Sequence, residues 1–187
     1  MFIQTEHTPN PQTLKFLPGK VVMNEGTAFF QNIEEGHNSP FAKRLFGVDG
    51  VEGVFFGSDF ITITKNNNID WLIMKPLILN AIMDHYNSDE ETIIDIQKEE
   101  KSHQSNNEDD NDIVKQIKEL LDTRVRPAVA MDGGDIIYDS FKDGIVYLHM
   151  QGACSGCPSS TATLKMGIEN MLKHYVPEVI EVKPVDA

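Results

Sequence analysis

Cys154 and Cys157 are the only cysteines in the 187-residue chain. They lie in Gly152-Ala153-Cys154-Ser155-Gly156-Cys157-Pro158-Ser159-Ser160-Thr161, where an apolar alternating run gives way to a helical pattern. A turn between a strand and a helix offers backbone N–H groups and the positive end of the helix dipole. Both favour thiolate over thiol, so Cys157, and Cys154 with it, is expected to ionise more easily than a free cysteine. Thiolates bind soft metals. Gly152 and Gly156 clear side chains from the loop, so that main-chain N–H groups can approach a bound sulfur, and such bonds hold and tune iron–sulfur clusters. Pro158 fits a first helical turn. An iron–sulfur cluster or a tetrahedral zinc site takes roughly four protein ligands. One chain offers two thiols, so unless a histidine or a small thiol completes the shell, two chains have to meet. Four uses stay open on spacing alone: an iron–sulfur cluster, a zinc-bridged structural dimer, a thiol-disulfide oxidoreductase using the Cys154/Cys157 dithiol, or inert thiols. A thioredoxin-like arrangement would need about twice the strands that this part of the chain supplies.

The elements that position the loop are legible around it. Asp112 can cap a helix with Ile113, Ile117, Leu120, Leu121 and Val125 on one face, and Pro127 is expected to stop it. Met131-Asp132-Gly133-Gly134-Asp135 reads as a turn in which one glycine takes positive φ. Asp132 and Asp135 are expected to serve turn and capping roles rather than act as functional acids. Ile136–Phe141 and Ile145–Met150 form a hairpin about Lys142-Asp143-Gly144. His149 is expected to be an ordinary strand residue facing away from the cysteines. Ser159, Ser160 or Thr161 can cap a helix carrying Leu164, Ile168, Met171, Leu172 and Tyr175. Pro177 ends that helix, and Val179–Val182 is a last strand. The order is α-β-β-α-β with a three-stranded sheet.

The rest of the chain divides by charge. The net charge is −13, which argues against a nucleic-acid partner. Residues 88–111 hold 9 acidic and 2 basic side chains, whereas 1–87 and 112–187 are each close to balance. The acidic stretch, whose second half lacks aliphatic and aromatic residues, is expected to be a flexible linker. Thr92-Ile93-Ile94-Asp95-Ile96 within it reads as a short strand or a brief contact. Before it, residues 1–87 read as a small α+β domain. Strands are expected at Phe2–Gln4, Leu14–Leu17, Ala28–Gln31, Val51–Phe56 and Phe60–Lys65. One helix starts at Ser39-Pro40, with Phe41, Leu45 and Phe46 on a face. A second is capped by Asp70 and runs from Trp71 toward Tyr86, with Leu72, Leu79, Ile82, Met83 and Tyr86 as its stripe. Pro76 marks its first turn or a kink. Trp71 and the N-terminal phenylalanines are expected in the core. The chain is therefore α+β: two small α+β domains, 1–87 and 112–187, joined by 88–111. No apolar run approaches the roughly 20 residues of a membrane span. The first residues carry no signal or transit pattern, which makes a cytoplasmic, bacterial-type location the expectation.

These residues also carry a likeness. Asp132-Gly133-Gly134-Asp135, the hairpin, and the Gly152–Thr161 stretch resemble the C-terminal domain of the NifU/Nfu iron–sulfur scaffold proteins. Thr8-Pro9-Asn10-Pro11 with Leu14-Lys15-Phe16, then Leu45-Phe46 and Val51-Glu52-Gly53-Val54-Phe55, resemble the Nfu N-terminal domain. The resemblance implies a non-enzymatic scaffold or carrier. It implies a 4Fe–4S cluster (iron and sulfide) bridged by a second copy of the chain, with Cys154 and Cys157 as its ligands. It further implies upstream assembly machinery as the source of the cluster and apo-proteins as its recipients. The N-terminal domain, which shows no catalytic constellation, is expected to recognise or shield.

Overall fold

The structure, a computed structural model, describes residues 1–88, 90–93, 112–156 and 158–185, with the backbone alone at 158–160. The chain forms two compact units, Met1–Gln97 and Lys98–Ala187.

The first unit is a five-stranded antiparallel sheet of order β1-β2-β5-β4-β3. Its strands are β1 (Gln4–His7), β2 (Thr13–Leu17), β3 (Ala28–Phe30), β4 (Val51–Phe56) and β5 (Ile61–Lys65). Alternation decides its inner face: Leu14, Phe16, Val54, Phe56, Ile61 and Ile63 join one core with Phe41 and Leu45 of α1 (Pro40–Phe46) and Met74, Ile78 and Ile82 of α2 (Trp71–Asn87). A 3₁₀ turn, Glu35–Asn38, precedes α1 and has no counterpart in the sequence reading. Ser39 caps α1 by accepting from Ala42 N, and Asp70 caps α2 by accepting from Leu72 N. The Thr8-Pro9-Asn10-Pro11 stretch is a structural turn. Asn10 Oδ1 accepts from Gln12 N at 3.0 Å, Asn10 O accepts from Thr8 Oγ1 at 2.8 Å, and the Thr8 and Thr13 hydroxyls pair. Pro11 O accepts from Trp71 Nε1 at 3.2 Å, so half-buried Trp71 packs against the core edge and keeps its polar tip satisfied.

Two expectations for this unit are corrected, and two that stood open between alternatives are narrowed. The first strand begins at Gln4, and Phe2 is exposed. Leu72 is 86% exposed: α2 buries Met74, Ile78, Ala81, Ile82 and His85 instead. Pro76 lies inside α2, five residues past its start, and not in the first turn. Thr92 and Ile93 belong to this unit. Ser39 Oγ donates to Thr92 O, Ile93 packs on the core, and Arg44 pairs with Glu90 at 2.8 Å. That makes the start of the acidic stretch a contact. Its remainder, 94–111, lies outside the described residues.

The second unit is a three-stranded sheet of order β6-β7-β8, from β6 (Gly134–Lys142), β7 (Ile145–Gly152) and β8 (Glu181–Pro184). β6 and β7 form the expected hairpin, and β8 pairs parallel to β7. Ile136, Val146, Leu148 and Val182 pack beneath α3 (Asp112–Leu120) and α5 (Pro158–Tyr175), meeting Ile117, Leu120, Ile168 and Leu172. Pro127 does not stop the first helix. Leu121–Val125 forms a π-helical turn, with Arg126 N donating to Leu121 O five residues back, and α4 (Arg126–Met131) continues with Pro127 in its first turn. The widened turn places the proline at a new helix start, where its missing N–H costs nothing. The last strand lies two residues later than expected, with Ile180 exposed.

Candidate functional site

The site grows out of the end of α4. Asp132 is its C-cap, Gly133 takes φ 83°, and Gly134 opens β6 opposite Gly152. After Gly152 the chain makes a tight loop. Ala153 N donates to Gly133 O at 3.1 Å, Cys154 N to Gln151 O at 3.3 Å, and Ser155 N to Gly152 O at 3.2 Å. The Ser155 hydroxyl also donates to Gly152 O, at 3.0 Å. Gly152 and Gly156 have φ 62° and 79°, so the segment 153–155 is bounded on each side by a left-handed residue. α5 follows at Pro158. Thr161 does not act as a cap here: its hydroxyl donates back to Cys154 O at 3.2 Å.

Cys154 is 5% exposed and packs in the core of its unit. Burial, with the negative charges of Asp132 and then Asp135, pushes its thiol up to about 12. This corrects the expectation of easy ionisation at Cys154: the sulfur lies in the fold and not at the helix end. Cys157, the other predicted ligand, lies outside the described residues.

Asp135 is neither a cap nor a free acid. It is 3% exposed and takes a bidentate pair from Arg126, Nε at 2.9 Å and Nη2 at 2.8 Å, while its Oδ1 accepts from Ile136 N at 2.8 Å. The pair raises the guanidinium's pKa further above its ordinary range. It ties α4 to the first residues of β6, the strand start against which the cysteine loop lies. His149 Nε2 meets Asp139 Oδ1 at 3.1 Å. It alternates with core residues Val146, Leu148 and Met150, so it sits on the other face of the sheet from Cys154, as the strand pattern predicts.

Sequence reasoning missed Gly134 as a site residue. A Cβ there would stand 2.4 Å from Cys154 Sγ and 2.7 Å from Gln151 O. The paired glycines were the only signal. Arg126 and the hydroxyl contact of Thr161 were also missed: Thr161 reads as a cap in sequence, and no periodicity pairs Arg126 with Asp135. Among the described residues no group of three or more His, Cys, Asp or Glu side chains could hold a metal ion. Thiol sulfur is the right donor chemistry for iron in a cluster, but one chain supplies too few thiols to close a shell. A buried Cys154 with a raised pKa is also a poor nucleophile for disulfide exchange.

Residues 3–89 match the family described as scaffold protein Nfu/NifU N terminal, and residues 117–183 match the NifU-like domain. The chain is 55% identical over 181 residues to NifU-like protein 4, mitochondrial, of Arabidopsis thaliana, which covers 96% of this chain and 64% of that protein. It is 50% identical over 186 residues to the NFU1 iron-sulfur cluster scaffold homolog, mitochondrial, of Homo sapiens, covering 99% of this chain and 72% of that one. The solution structure of a NifU-like protein from Saccharomyces cerevisiae aligns with a TM-score of 0.45 at 29% identity, over 50% of this chain and 84% of that one. The mitochondrial names of these relatives overturn the expectation of a cytoplasmic, bacterial-type protein. That expectation rested on the first residues alone. The chain spans 64% of the Arabidopsis protein, so its first residues carry no weight for location.

Proposed function

Because the chain belongs to the Nfu/NifU family of iron–sulfur cluster scaffold proteins, we propose that it carries a 4Fe–4S cluster between two copies of itself, through Cys154 and Cys157 of each, and delivers it to apo-proteins. The observation that carries this reading is the count of sulfurs against the family match. A region matching the NifU-like domain contains two thiols, Cys154 and Cys157, three positions apart, and a four-iron cluster takes about four. The second copy supplies the remainder.

The cluster is cargo. Each chain holds it by few bonds, so separation of the copies loosens it. Transfer is an exchange of thiolate for thiolate. For each iron–sulfur bond to Cys154 or Cys157 that breaks, one forms to a client cysteine. The proton leaving the client thiol goes to the carrier thiolate, and no electron moves. No catalytic group is needed, which fits a scaffold and not an enzyme. The 1–87 domain is the part that meets clients or shields the cluster, and upstream assembly machinery loads the cluster. A net charge of −13 suits protein partners over nucleic acid, and among the described residues no helix is long and apolar enough to cross a membrane.

Anaerobic reconstitution with iron and sulfide tests this. The expected result is about two irons and two sulfides per chain, with a sedimentation mass that doubles on loading. Cys154→Ala should lose both. Serine is the worse probe, since it places a hydroxyl at a position that is buried here. A loaded protein that stays a monomer refutes the bridged cluster.

A further inference from the structure

In the conformation described, the Cys154 sulfur is not where a shared ligand has to be. A thiolate that two chains share through one cluster lies at a surface, and Cys154 is 5% exposed within its own core. Its Sγ fills a slot against the first residue of β6. Only glycine leaves that slot open, because a Cβ on Gly134 would come within 2.4 Å of the sulfur. Two further contacts close the loop down. Ala153 N donates to Gly133 O at 3.1 Å, and the Thr161 hydroxyl donates to Cys154 O at 3.2 Å. Each is one hydrogen bond of ordinary strength. The ends of the segment are glycines with φ 62° and 79°, residues able to take other backbone angles at low cost.

We propose that Gly134 and Thr161 are positioning residues for cluster uptake. They hold Cys154 retracted, and the sulfur becomes a ligand only when residues 153–155 turn outward between Gly152 and Gly156. The purpose of this movement rests on the carrier reading; its test does not. Uptake then proceeds in two steps, an outward turn of the loop followed by capture of iron by the released sulfur. Gly134 sets how well the sulfur fits the closed slot, and the Thr161 hydroxyl sets how often the slot opens.

The test is residue-resolved alkylation of the full-length reduced protein with iodoacetamide, read by mass spectrometry, native and in urea. In the native protein Cys154 is expected to react at least about 100-fold more slowly than in the unfolded chain, the protection of a buried site that opens locally. Thr161→Val, which keeps the shape and removes the hydroxyl, should speed native alkylation of Cys154 about fivefold, the equivalent of one ordinary hydrogen bond. Thr161→Ser should restore the slow rate. Iron uptake by Thr161→Val should accelerate by a similar factor toward the same final content. Gly134→Ala should expose Cys154 further. Should that variant fail to fold, the threonine pair still decides. Equal rates for Cys154 in native and unfolded protein overturn the proposal, as does a Thr161→Val rate equal to wild type. If no variant takes up a cluster, the carrier reading falls, and the alkylation ratios still report whether the sulfur is held in.

Discussion

Replacing Arg126 with methionine should destabilise the C-terminal unit sharply while leaving the N-terminal one untouched. The two hydrogen bonds from Arg126 to Asp135, at 2.9 and 2.8 Å, reach a carboxylate whose side chain is 4% exposed. Removing one partner of a wholly buried pair costs about 3–5 kcal/mol, because the remaining charge is left without compensation. Two features lower that figure here. The Arg126 side chain is 39% exposed, and Asp135 keeps its bond from Ile136 N. The expected loss is therefore about 2–3 kcal/mol. For a unit of this size that is a fall in melting temperature of roughly 10–20 °C. Trp71 is the sole tryptophan and lies in the other unit, so its fluorescence is the wrong probe. Circular dichroism melts combined with amide exchange resolved over 112–185 report the right part. Adding Asp135→Asn to Arg126→Met removes the orphaned charge and should recover a good share of the loss. A single variant within about 0.5 kcal/mol of wild type, or a double variant no better than the single, refutes the reasoning.

Two further outcomes concern the N-terminal unit, where tryptophan fluorescence does serve. Leu72→Ser, on a residue 86% exposed, should change the unfolding free energy from urea titration by less than about 0.5 kcal/mol, whereas fully buried Ile78→Ala should cost about 2–4 kcal/mol; the opposite ranking would place the wrong face of α2 inside. His85 is 2% exposed and stacked on Phe41 at 3.8 Å, with no hydrogen-bond partner for Nδ1 among the described residues. Burial, then the Arg44 charge, lower its pKa below 6.5, against a raising influence from Glu90. Between the lowered folded value and 6.5 the unfolded chain binds a proton that the folded one refuses. Stability of this unit should therefore fall as pH drops through that window and be level above it. His85→Phe should remove that slope, and a slope that survives in the variant would rule the histidine out.

The parts of the fold that sequence disclosed are those decided by neighbours along the chain. Ser39 and Asp70 announce helix starts because a cap acts over two or three residues, and both accept the bonds a cap should. The β6–β7 hairpin follows from alternation about a glycine turn. Other features depend on contacts that sequence spacing cannot express. α2 is apolar on most sides at its start, with Leu72, Ile73, Met74, Leu77, Ile78 and Leu79 in succession, so periodicity could not choose its buried face. Pro127 was read as a stop because a straight helix has no room for it; a π-helical turn makes room. The retraction of Cys154 rests on Gly134, twenty positions earlier, and on a distance of one missing methyl group. A motif of two cysteines offers candidate donors without saying whether they face in or out.

The parallel pairing of β8 with β7 gives the cysteine loop a second duty. Parallel neighbours cannot be joined by a short turn, so everything from Ala153 to Ile180 is the bridge that brings the final strand home, and the loop is its first span. Any swing at that span would tug α5 and, through it, the edge of the sheet, unless the slack is absorbed locally. Glycines 152 and 156 bracket the span like two swivels in a mooring line, letting a few residues move while the load stays on the strands.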